Sequence, residues 1–221
     1  MTDDHRHRIL QAAARVYAQH GWRGSTTKRI AEEAGVNEVT LFRHFGAKDA
    51  LLQQMMLHLT EPKEGMTLPA APRDPAAELE GWVRAHHAEM CAQRPFIRQL
   101  VSDLQEHPDL HPCATKGPNS ATSQLRAYVG SLHAMGFVDD HTTSSMANQS
   151  AAVTMLMGAI FADGMNRDLM PEMFPEPVDV SLRSYVRFFL RGLGVSCSLA
   201  TVAVSDRDHS SSVSPSAVGS E

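Results

Sequence analysis

The residues best suited to chemistry lie between positions 25 and 48, in the segment STTKRIAEEAGVNEVTLFRHFGAK. Hydroxyl, amide and basic side chains stand there at the starts of two short helical patterns, where phosphate groups bind readily. Thr26 offers an N-cap oxygen to TKRIAEEA and Asn37 offers one to EVTLFRHF, while Gly35 and Gly46 end the two patterns. Two capped helices joined by a three-residue turn predict a helix-turn-helix motif, whose second helix enters the major groove of DNA.

Two longer helices are predicted to hold this motif in place. Residues 8–20 carry apolar side chains at helical spacing, and Gly21 follows as a stop signal. Residues 48–59 carry a stripe of leucine and methionine at the i, i+4 spacing of an amphipathic helix. Ala31 and Ala34 are small enough for the two motif helices to cross closely. The motif is therefore expected within a three-helix unit that a fourth helix connects to the rest of the chain.

The remainder of the chain is also predicted to be helical. Residues 61–77 contain four prolines in seventeen positions, which indicates a linker or loop. Helical patterns follow at about 76–93, 96–106, 119–135, 143–165 and 180–193. No convincing alternating strand is found, and residues 195–204 fit either a short strand or a frayed end. Residues 205–221 hold seven serines in seventeen positions without an apolar period, which predicts a disordered tail.

The charge distribution separates the motif from the rest. The chain of 221 residues has a formal net charge of −5, which by itself argues against a nucleic-acid binder. Residues 1–60 hold 8 basic and 6 acidic residues, whereas residues 61–221 hold 12 basic and 19 acidic ones. The excess of acidic residues therefore lies outside the segment that contains the predicted motif. Because that segment is only weakly basic, we expect it to bind DNA of random sequence weakly.

The motif resembles the DNA-binding segment of the TetR/AcrR family of bacterial transcriptional regulators. The positions that match the family pattern in the same spacing are Gly21, Thr26, Ile30, Ala31, Ala34, Gly35, Val36, Thr40, Leu41, His44, Phe45, Lys48 and Leu51. The resemblance covers about residues 5–60, and only the general plan is similar beyond them. It implies an all-α fold, in which an N-terminal three-helix helix-turn-helix domain precedes a larger helical ligand-binding and dimerisation domain. Together with the linker and tail inferred from composition, the predicted segments are 1–47 for the DNA-binding domain (motif about 26–45), 48–60 for a connecting helix, 61–77 for the linker, 78–196 for the ligand-binding and dimerisation domain and 205–221 for the tail.

The resemblance and the side-chain chemistry together select the residues expected to bind DNA. They are Thr26, Thr27, Lys28, Asn37, Glu38, Val39, Thr40, Phe42, Arg43, His44 and Lys48. Thr40, His44 and Lys48 match family contact positions, and Val39 suits a thymine methyl group. Two interpretations of Glu38 stay open: it accepts a hydrogen bond from cytosine N4, or it repels phosphate and interacts with the helix dipole.

Two of these positions depart from the family pattern. Asn37 replaces the usual serine and keeps a capping oxygen, whereas Phe42 replaces the usual tyrosine and loses a hydroxyl that would contact phosphate. Arg43 is expected to point outward to a base edge or a phosphate. Arg43→Ala should therefore alter sequence preference, while Lys48→Ala should weaken binding to all sequences.

The resemblance further implies a homodimer, an operator in double-stranded DNA and a small-molecule effector. Dimerisation is expected through the helices at about 143–165, which is rich in small residues, and 180–193. The latter helix offers Leu182, Tyr185, Val186, Phe189, Leu190 and Leu193. The candidate pocket residues, on predicted inward faces, are Trp82, His86, Met90, Phe96, Leu100, Leu104, Tyr128, Met155 and Phe161. His86 or His87 would supply a polar anchor for the ligand.

Other classes of function lack their sequence signatures. The chain has no HExxH, GxSxG, P-loop or GxGxxG pattern, so an enzyme is not expected. The histidines and cysteines at 86–91 and 107–113 lack zinc-site spacing, and no metal or cofactor is predicted. Without a run of eighteen apolar residues or a signal-peptide pattern, a cytoplasmic protein with no membrane span is expected. The alternative to a ligand-responsive repressor is a helix-turn-helix protein controlled by a partner protein or by metal or thiol chemistry.

Overall fold

A computed structural model of the protein describes residues 3–61, 63, 65–138 and 146–195. The α-helices within these ranges are α1 (Asp3–Gly24), α2 (Thr27–Ala34), α3 (Glu38–Phe45), α4 (Lys48–Leu59), α5 (Pro75–Ala92), α6 (Arg94–Asp103), α7 (His111–Ala114), α8 (Lys116–Ala134), α9 (Met146–Asn166) and α10 (Val178–Gly192). Short 3-10 turns at Pro108–Leu110 and Pro171–Met173 precede α7 and α10. The described residues form no strand beyond one isolated antiparallel bridge between Val138 and Val195. The predicted all-α fold is confirmed.

Helices α2 and α3 begin and end at the predicted residues because local signals mark their ends. Thr26 Oγ1 accepts a hydrogen bond from the Arg29 backbone N–H at 3.3 Å, which caps α2. Asn37 Oδ1 accepts one from the Val39 backbone N–H at 2.9 Å, which caps α3. Between the two helices Gly35 adopts a left-handed conformation with φ 64°, which reverses the chain within the predicted turn.

The first helix bends sharply at Gly21, where the sequence predicted a stop. Gly21 has φ 64° and ψ −172°, a conformation that glycine adopts readily and other residues adopt only under strain. Beyond the bend, the Trp22 backbone N–H donates a hydrogen bond to Asp103 Oδ2 at the end of α6, at 2.9 Å. The bend therefore joins the end of α1 to a helix that lies more than 70 residues further along the chain.

Replacing Gly21 with alanine is expected to lower the free energy of unfolding by about 2–3 kcal/mol. Alanine would have to adopt the same positive φ, and its Cβ would lie 2.7 Å from Gln99 Nε2 and 3.3 Å from Asp103 Oδ2. Gly35→Ala is the matched control, because Gly35 also has φ 64° but a Cβ there meets nothing within 4 Å. The control should lose only about 1 kcal/mol. Urea unfolding followed by circular dichroism measures both losses, and equal losses would contradict a specific role of the α1–α6 junction.

We call α1–α4 the head and the part built from α5 and α8–α10 the body. Helix α6 packs mainly with the head, because its Phe96 and Leu100 are buried in the same apolar cluster as Tyr17. The Tyr17 and Phe96 rings have centroids 5.3 Å apart. Leu110, which follows α6, is fully buried in that cluster too. A shift of α6 would therefore act directly on the position of the head.

The body has its own core, formed where α5, α8, α9 and α10 meet. Its fully buried side chains include Leu79 and Trp82 of α5, Leu125 of α8, Ile160 of α9 and Leu190 of α10. Residues on the apolar stripes of four helices thus bury one another, as amphipathic helices require. This core is separate from the head cluster, so α6 lies at the junction of the two.

A buried polar network connects α9 to α5 and α10 inside the body. The Asp163 carboxylate is fully buried and accepts hydrogen bonds from Arg167 at 2.7 and 2.8 Å, from Tyr185 at 2.9 Å and from His87 at 3.0 Å. Burial raises the pKa of Asp163, but these hydrogen bonds outweigh burial and leave the pKa below its ordinary value. Arg167 also donates to Glu176, at 2.8 Å. The network holds three helices of the body in register.

The body helices lie where they were predicted, with shifted ends and two omissions. Helix α7 and the 3-10 turns were missed, because three or four residues are too few to show a period. Residues 143–145 of the predicted helix at 143–165, residues 196–204 of the predicted strand or frayed end, and the predicted disordered tail at 205–221 lie outside the described residues.

Candidate nucleic-acid interface

The second helix of the motif, α3, presents one face to solvent. Val39 is 72% exposed and Phe42 is 48% exposed, and Arg43 is exposed beside them. Leu41 and Phe45, on the other face, are buried in the head. The spacing i, i+3, i+4 places Val39, Phe42 and Arg43 on a single helix face. Helix α3 therefore offers apolar and cationic side chains on one continuous outward surface.

The predicted capping residues use their side-chain oxygens on their own helices. Thr26 caps α2 and Asn37 caps α3, so these two side chains fix where each helix starts. In the first turn of α3 the Thr40 backbone N–H also donates a hydrogen bond, to the Asn37 carbonyl at 2.9 Å. Phosphate binding at the two helix starts stays a prediction.

Thr27 and Glu38 connect the two helices of the motif. The Thr27 hydroxyl donates a hydrogen bond to Glu38 Oε1, and both side chains are half-buried. Glu38 is the first residue of α3, so its negative charge lies near the positive end of the helix dipole. No local pattern in the sequence predicts this contact, because the two residues are 11 positions apart. Glu38 Oε2 takes no part in the bond.

The basic residues of the motif divide into paired and unpaired groups. Arg15 pairs with Glu33 at 2.6 Å, and Arg29 donates to the Gly24 carbonyl at 2.9 Å. Lys28 and Arg43 are exposed, and neither side chain makes a hydrogen bond or an ion pair within the described part of the chain. His44 and Thr40 lie on the same helix as Arg43, with His44 exposed and Thr40 half-buried. Lys28 and Arg43 are therefore the cations of this surface that remain available to DNA.

Lys48 lies at the start of α4 and points into the head. Its ammonium donates a hydrogen bond to the Trp22 carbonyl at 2.5 Å and lies 5.5 Å from the centroid of the Trp22 ring. Burial lowers the pKa of Lys48, and the neighbouring Asp49 opposes that effect. Lys48 thus holds α4 against the bend in α1, and its predicted contact with phosphate stays a prediction.

Comparisons with known proteins agree with the geometry of the motif. Residues 9–55, from α1 into α4, match the family model of bacterial regulatory proteins, tetR family. Over 187 residues the chain is 45% identical to the uncharacterized HTH-type transcriptional regulator YvkB of Bacillus subtilis strain 168, an alignment that covers 84% of this chain and 95% of YvkB. The chain belongs to the TetR family.

Two further proteins are similar to the TetR-family chain, one in part of its sequence and one in its fold. The HTH-type transcriptional repressor AcnR of Corynebacterium diphtheriae is 27% identical over 106 residues, which cover 48% of this chain and 43% of AcnR. The crystal structure of a TetR transcriptional regulator from Agrobacterium tumefaciens superposes with a TM-score of 0.66 at 17% identity, covering 88% of this chain and 96% of that one. At that identity the likeness shows the fold. The family and its relatives make this chain a DNA-binding transcriptional regulator and not an enzyme.

Four of the predicted ligand-pocket residues of the TetR-family chain lie in or beside the body core, namely Trp82, His86, Met90 and Tyr128. The Trp82 and His86 rings have centroids 4.0 Å apart, and His86 Nδ1 donates to the Trp82 carbonyl at 2.9 Å. Burial lowers the pKa of His86, against an opposing effect of that hydrogen bond. The Trp82 indole N–H is buried and makes no hydrogen bond within the described residues.

The other five predicted pocket residues lie elsewhere. Phe96, Leu100 and Leu104 pack with the head cluster, because α6 turns its apolar face toward α1. Met155 and Phe161 are 75% and 44% exposed, so the predicted inward orientation is wrong for these two side chains. Helix α9 is apolar on more than one face, and periodicity alone does not distinguish them. The nine residues therefore do not line a single site.

The apolar side chains predicted for dimer contact on α10 fill the core of the body instead. Leu182, Val186, Phe189, Leu190 and Leu193 are all buried within the chain itself, and Tyr185 is half-buried. The outward face of α10 carries different residues, among them Val180 and Phe188. The first group therefore completes the core of its own chain and is not available to a second one.

Cys91, one of the cysteines that lack zinc-site spacing, lies beside a histidine and an arginine. Cys91 lies 3.7 Å from His87 Nδ1 and 3.1 Å from Arg94 Nη2. Among the described residues, however, no three His, Cys, Asp or Glu side chains are grouped as metal ligands. None of the described helices combines the length and hydropathy that crossing a membrane requires.

Proposed function

We propose that this TetR-family regulator is a ligand-responsive repressor, which binds a pseudo-palindromic operator as a homodimer and is released by a small molecule. The observation that carries the DNA part is the outward face of α3, with Val39, Phe42 and Arg43 exposed side by side. In this proposal Arg43 contacts a base edge, Val39 contacts a thymine methyl group and Lys28 contacts phosphate. A chromosomal operator also implies that the protein acts in the cytoplasm.

The other proposed contacts support the position of α3 in the groove. Thr26 and Asn37 orient the helix starts through their caps, and the N–H groups there approach phosphate. Thr40, His44 and Lys48 are proposed to contact the DNA backbone. These roles rest on the family pattern and on the placement of the residues around α3.

The proposed dimer is supported by an exposed apolar surface on α9 and α10. Met155, Phe161 and Phe188 are 75%, 44% and 64% exposed, although all three are large and apolar. Ala151 and Gly158 lie between or beside them on α9 and are exposed as well. Small residues let a second helix approach closely, and apolar patches of this kind mark interfaces between proteins. Two copies of this surface would form a four-helix interface around a two-fold axis.

The proposed ligand response is supported by the position of α6. Helix α6 follows α5 of the body almost directly, yet it packs against α1 of the head and holds Trp22 through Asp103. A ligand that changes the packing of the body would move α6, and with it the spacing of the two heads of a dimer. Since the heads must fit half-sites about one DNA turn apart, a small change in spacing suffices to release DNA.

Selection of bound fragments from a random DNA pool tests this function directly. The expected product is an inverted repeat whose half-sites are separated by about one helical turn or a multiple of it. Sedimentation equilibrium at micromolar concentration should give the mass of two chains without DNA. An unrepeated site bound by a single chain would contradict the proposal.

The hydrogen bond between Thr27 and Glu38 leads us to expect that Glu38→Gln strengthens DNA binding. Glutamine keeps an acceptor for the Thr27 hydroxyl, and it removes a negative charge that faces phosphate from each head. Affinity for the selected operator and for random DNA should both rise by about threefold, measured by fluorescence anisotropy. Thr27→Val, which removes the donor at nearly constant shape, serves as the control and should not strengthen binding. If Glu38→Gln instead weakened only operator binding, Glu38 would be a contact to cytosine.

A further inference from the structure

A groove of about 440 Å³ lies between the start of α5 and the outer flank of α10. The α10 side chains that line it include Arg183, Arg187 and Arg191, above the apolar Val186 and Leu190. Val186 and Leu190 are only 1% exposed and close the bottom of the groove, whereas the exposed Val180 and the half-buried Ala76 give it apolar surface and the three arginines are exposed along its edge. The volume lies within the range of small-molecule sites in proteins.

The three arginines form a row of unpaired positive charge on one helix. They follow one another at i, i+4 and i+8, a spacing at which like charges repel and destabilise a helix. None of their side chains makes a hydrogen bond or an ion pair within the described part of the chain. Arg84 of the neighbouring α5, by contrast, pairs with Asp179 at 3.1 Å. The helix dipole favours Arg191 in the last turn, but it does not account for Arg183 and Arg187.

Arg183 and Arg187 lie apart from the apolar surface proposed for dimerisation. Arg183 lies on the flank of α10 that faces α5, where Glu80 belongs to the opposite wall of the groove. Phe188 lies about 140° around α10 from Arg183 and about 100° from Arg187, whereas Arg191, three residues further along, lies only about 60° from Phe188. Ligand binding at Arg183 and Arg187 and pairing of two chains through Phe188 therefore use different sides of the helix, and Arg191 lies between the two.

We propose that the groove binds an anionic amphiphile, with its carboxylate on Arg183 and Arg187 and its apolar chain over Val180 and Ala76. A guanidinium group matches the two oxygens of a carboxylate, and Val180 and Ala76 give an apolar chain a surface to cover. Glu80 on the opposite wall disfavours a doubly charged head such as phosphate. This inference rests on the proposed ligand response, for which it names the chemical class of the effector.

Isothermal titration calorimetry of the full chain with decanoate tests the site. One decanoate is expected to bind per chain, whereas decyltrimethylammonium and inorganic phosphate should not bind at the same concentrations. The double variant Arg183→Gln/Arg187→Gln keeps most of each aliphatic stem, and it should lower decanoate affinity about tenfold or more. Arg126→Gln is the matched control, because Arg126 is an exposed arginine on α8. The control should retain wild-type affinity.

Three binding results, and one result on the mass of the protein, would overturn the site. The binding results are the absence of decanoate binding to the wild type, an equal loss in the two variants, and equal binding of the cationic probe. A change of mass in the double variant by sedimentation would also overturn it, because the groove would then be part of the interface between chains. Release of operator DNA by decanoate is measured separately by anisotropy. Decanoate that binds in the calorimeter but does not release DNA would leave the groove assigned and would contradict its role as the effector site.

Discussion

Arg43→Ala is expected to weaken binding to the selected operator by about 30-fold or more. Each arginine contact to a base edge contributes about 1–3 kcal/mol, and a homodimer loses two of them. Arg43 is exposed on the outward face of α3 and has no protein partner within the described residues, so its removal leaves no buried group unpaired. The fold should be unaffected, and circular dichroism should be identical to that of the wild type. Affinity for random DNA should fall much less.

Lys28→Ala is the control that distinguishes a base contact from a phosphate contact. Lys28 is also exposed and unpaired within the described residues, but it lies at the start of α2 and not on α3. Its loss should weaken binding to operator and random DNA equally, and the slope of log affinity against log salt should fall by about two for the dimer. Lys48→Ala is less suitable, because it would also remove the hydrogen bond to the Trp22 carbonyl. Equal losses on both DNAs for Arg43→Ala would show that Arg43 contacts phosphate only.

The motif was predictable to the residue because its signals are local. Thr26 and Asn37 mark helix starts through caps that depend on three or four neighbouring residues, and Gly35 reverses the chain by itself. Such signals act in the same way in any fold. The hydrogen bond from Thr27 to Glu38 is different, since it depends on how the two helices cross.

The body was predictable as a set of helices, but not as an arrangement. The stripe with Phe96 and Leu100 correctly indicated a buried face on α6, yet that face meets α1 and not a pocket in the body. Met155 and Phe161 are apolar side chains on the solvent side of α9. Apolar residues at helical spacing indicate that a helix face is buried, but they do not show whether the same chain, a second chain or a ligand buries it. The arginine row on α10 could not be assigned to a groove from the sequence, because α5 forms the other wall of that groove.

Asp163→Asn is expected to lower the free energy of unfolding by about 3–5 kcal/mol, the usual loss when one partner of a buried ion pair is removed. Asp163 is fully buried, and the variant leaves the Arg167 guanidinium in place with only Glu176 as an ionised partner. Asp179→Asn is the control, because the pair of Asp179 with Arg84 is exposed and should contribute no more than about 1 kcal/mol. Urea unfolding followed by tryptophan fluorescence measures both losses.

The double variant Asp163→Leu/Arg167→Met separates the effect of an unpaired charge from the effect of losing the network. If the unpaired guanidinium is the main penalty, the double variant should regain most of the stability that Asp163→Asn loses, since it removes both charges.

The pH dependence of unfolding gives an independent check on the ionised state of Asp163. The pKa of Asp163 lies below its ordinary value of 3.8 because, although burial raises it, the hydrogen bonds from Arg167, Tyr185 and His87 outweigh burial. The folded state then binds fewer protons than the unfolded chain, so the contribution of Asp163 is present above that ordinary pKa and is lost as the pH falls through the folded one. Wild-type stability should therefore decline more steeply than that of Asp163→Asn below about pH 4. Parallel declines would show that Asp163 is not held ionised by Arg167.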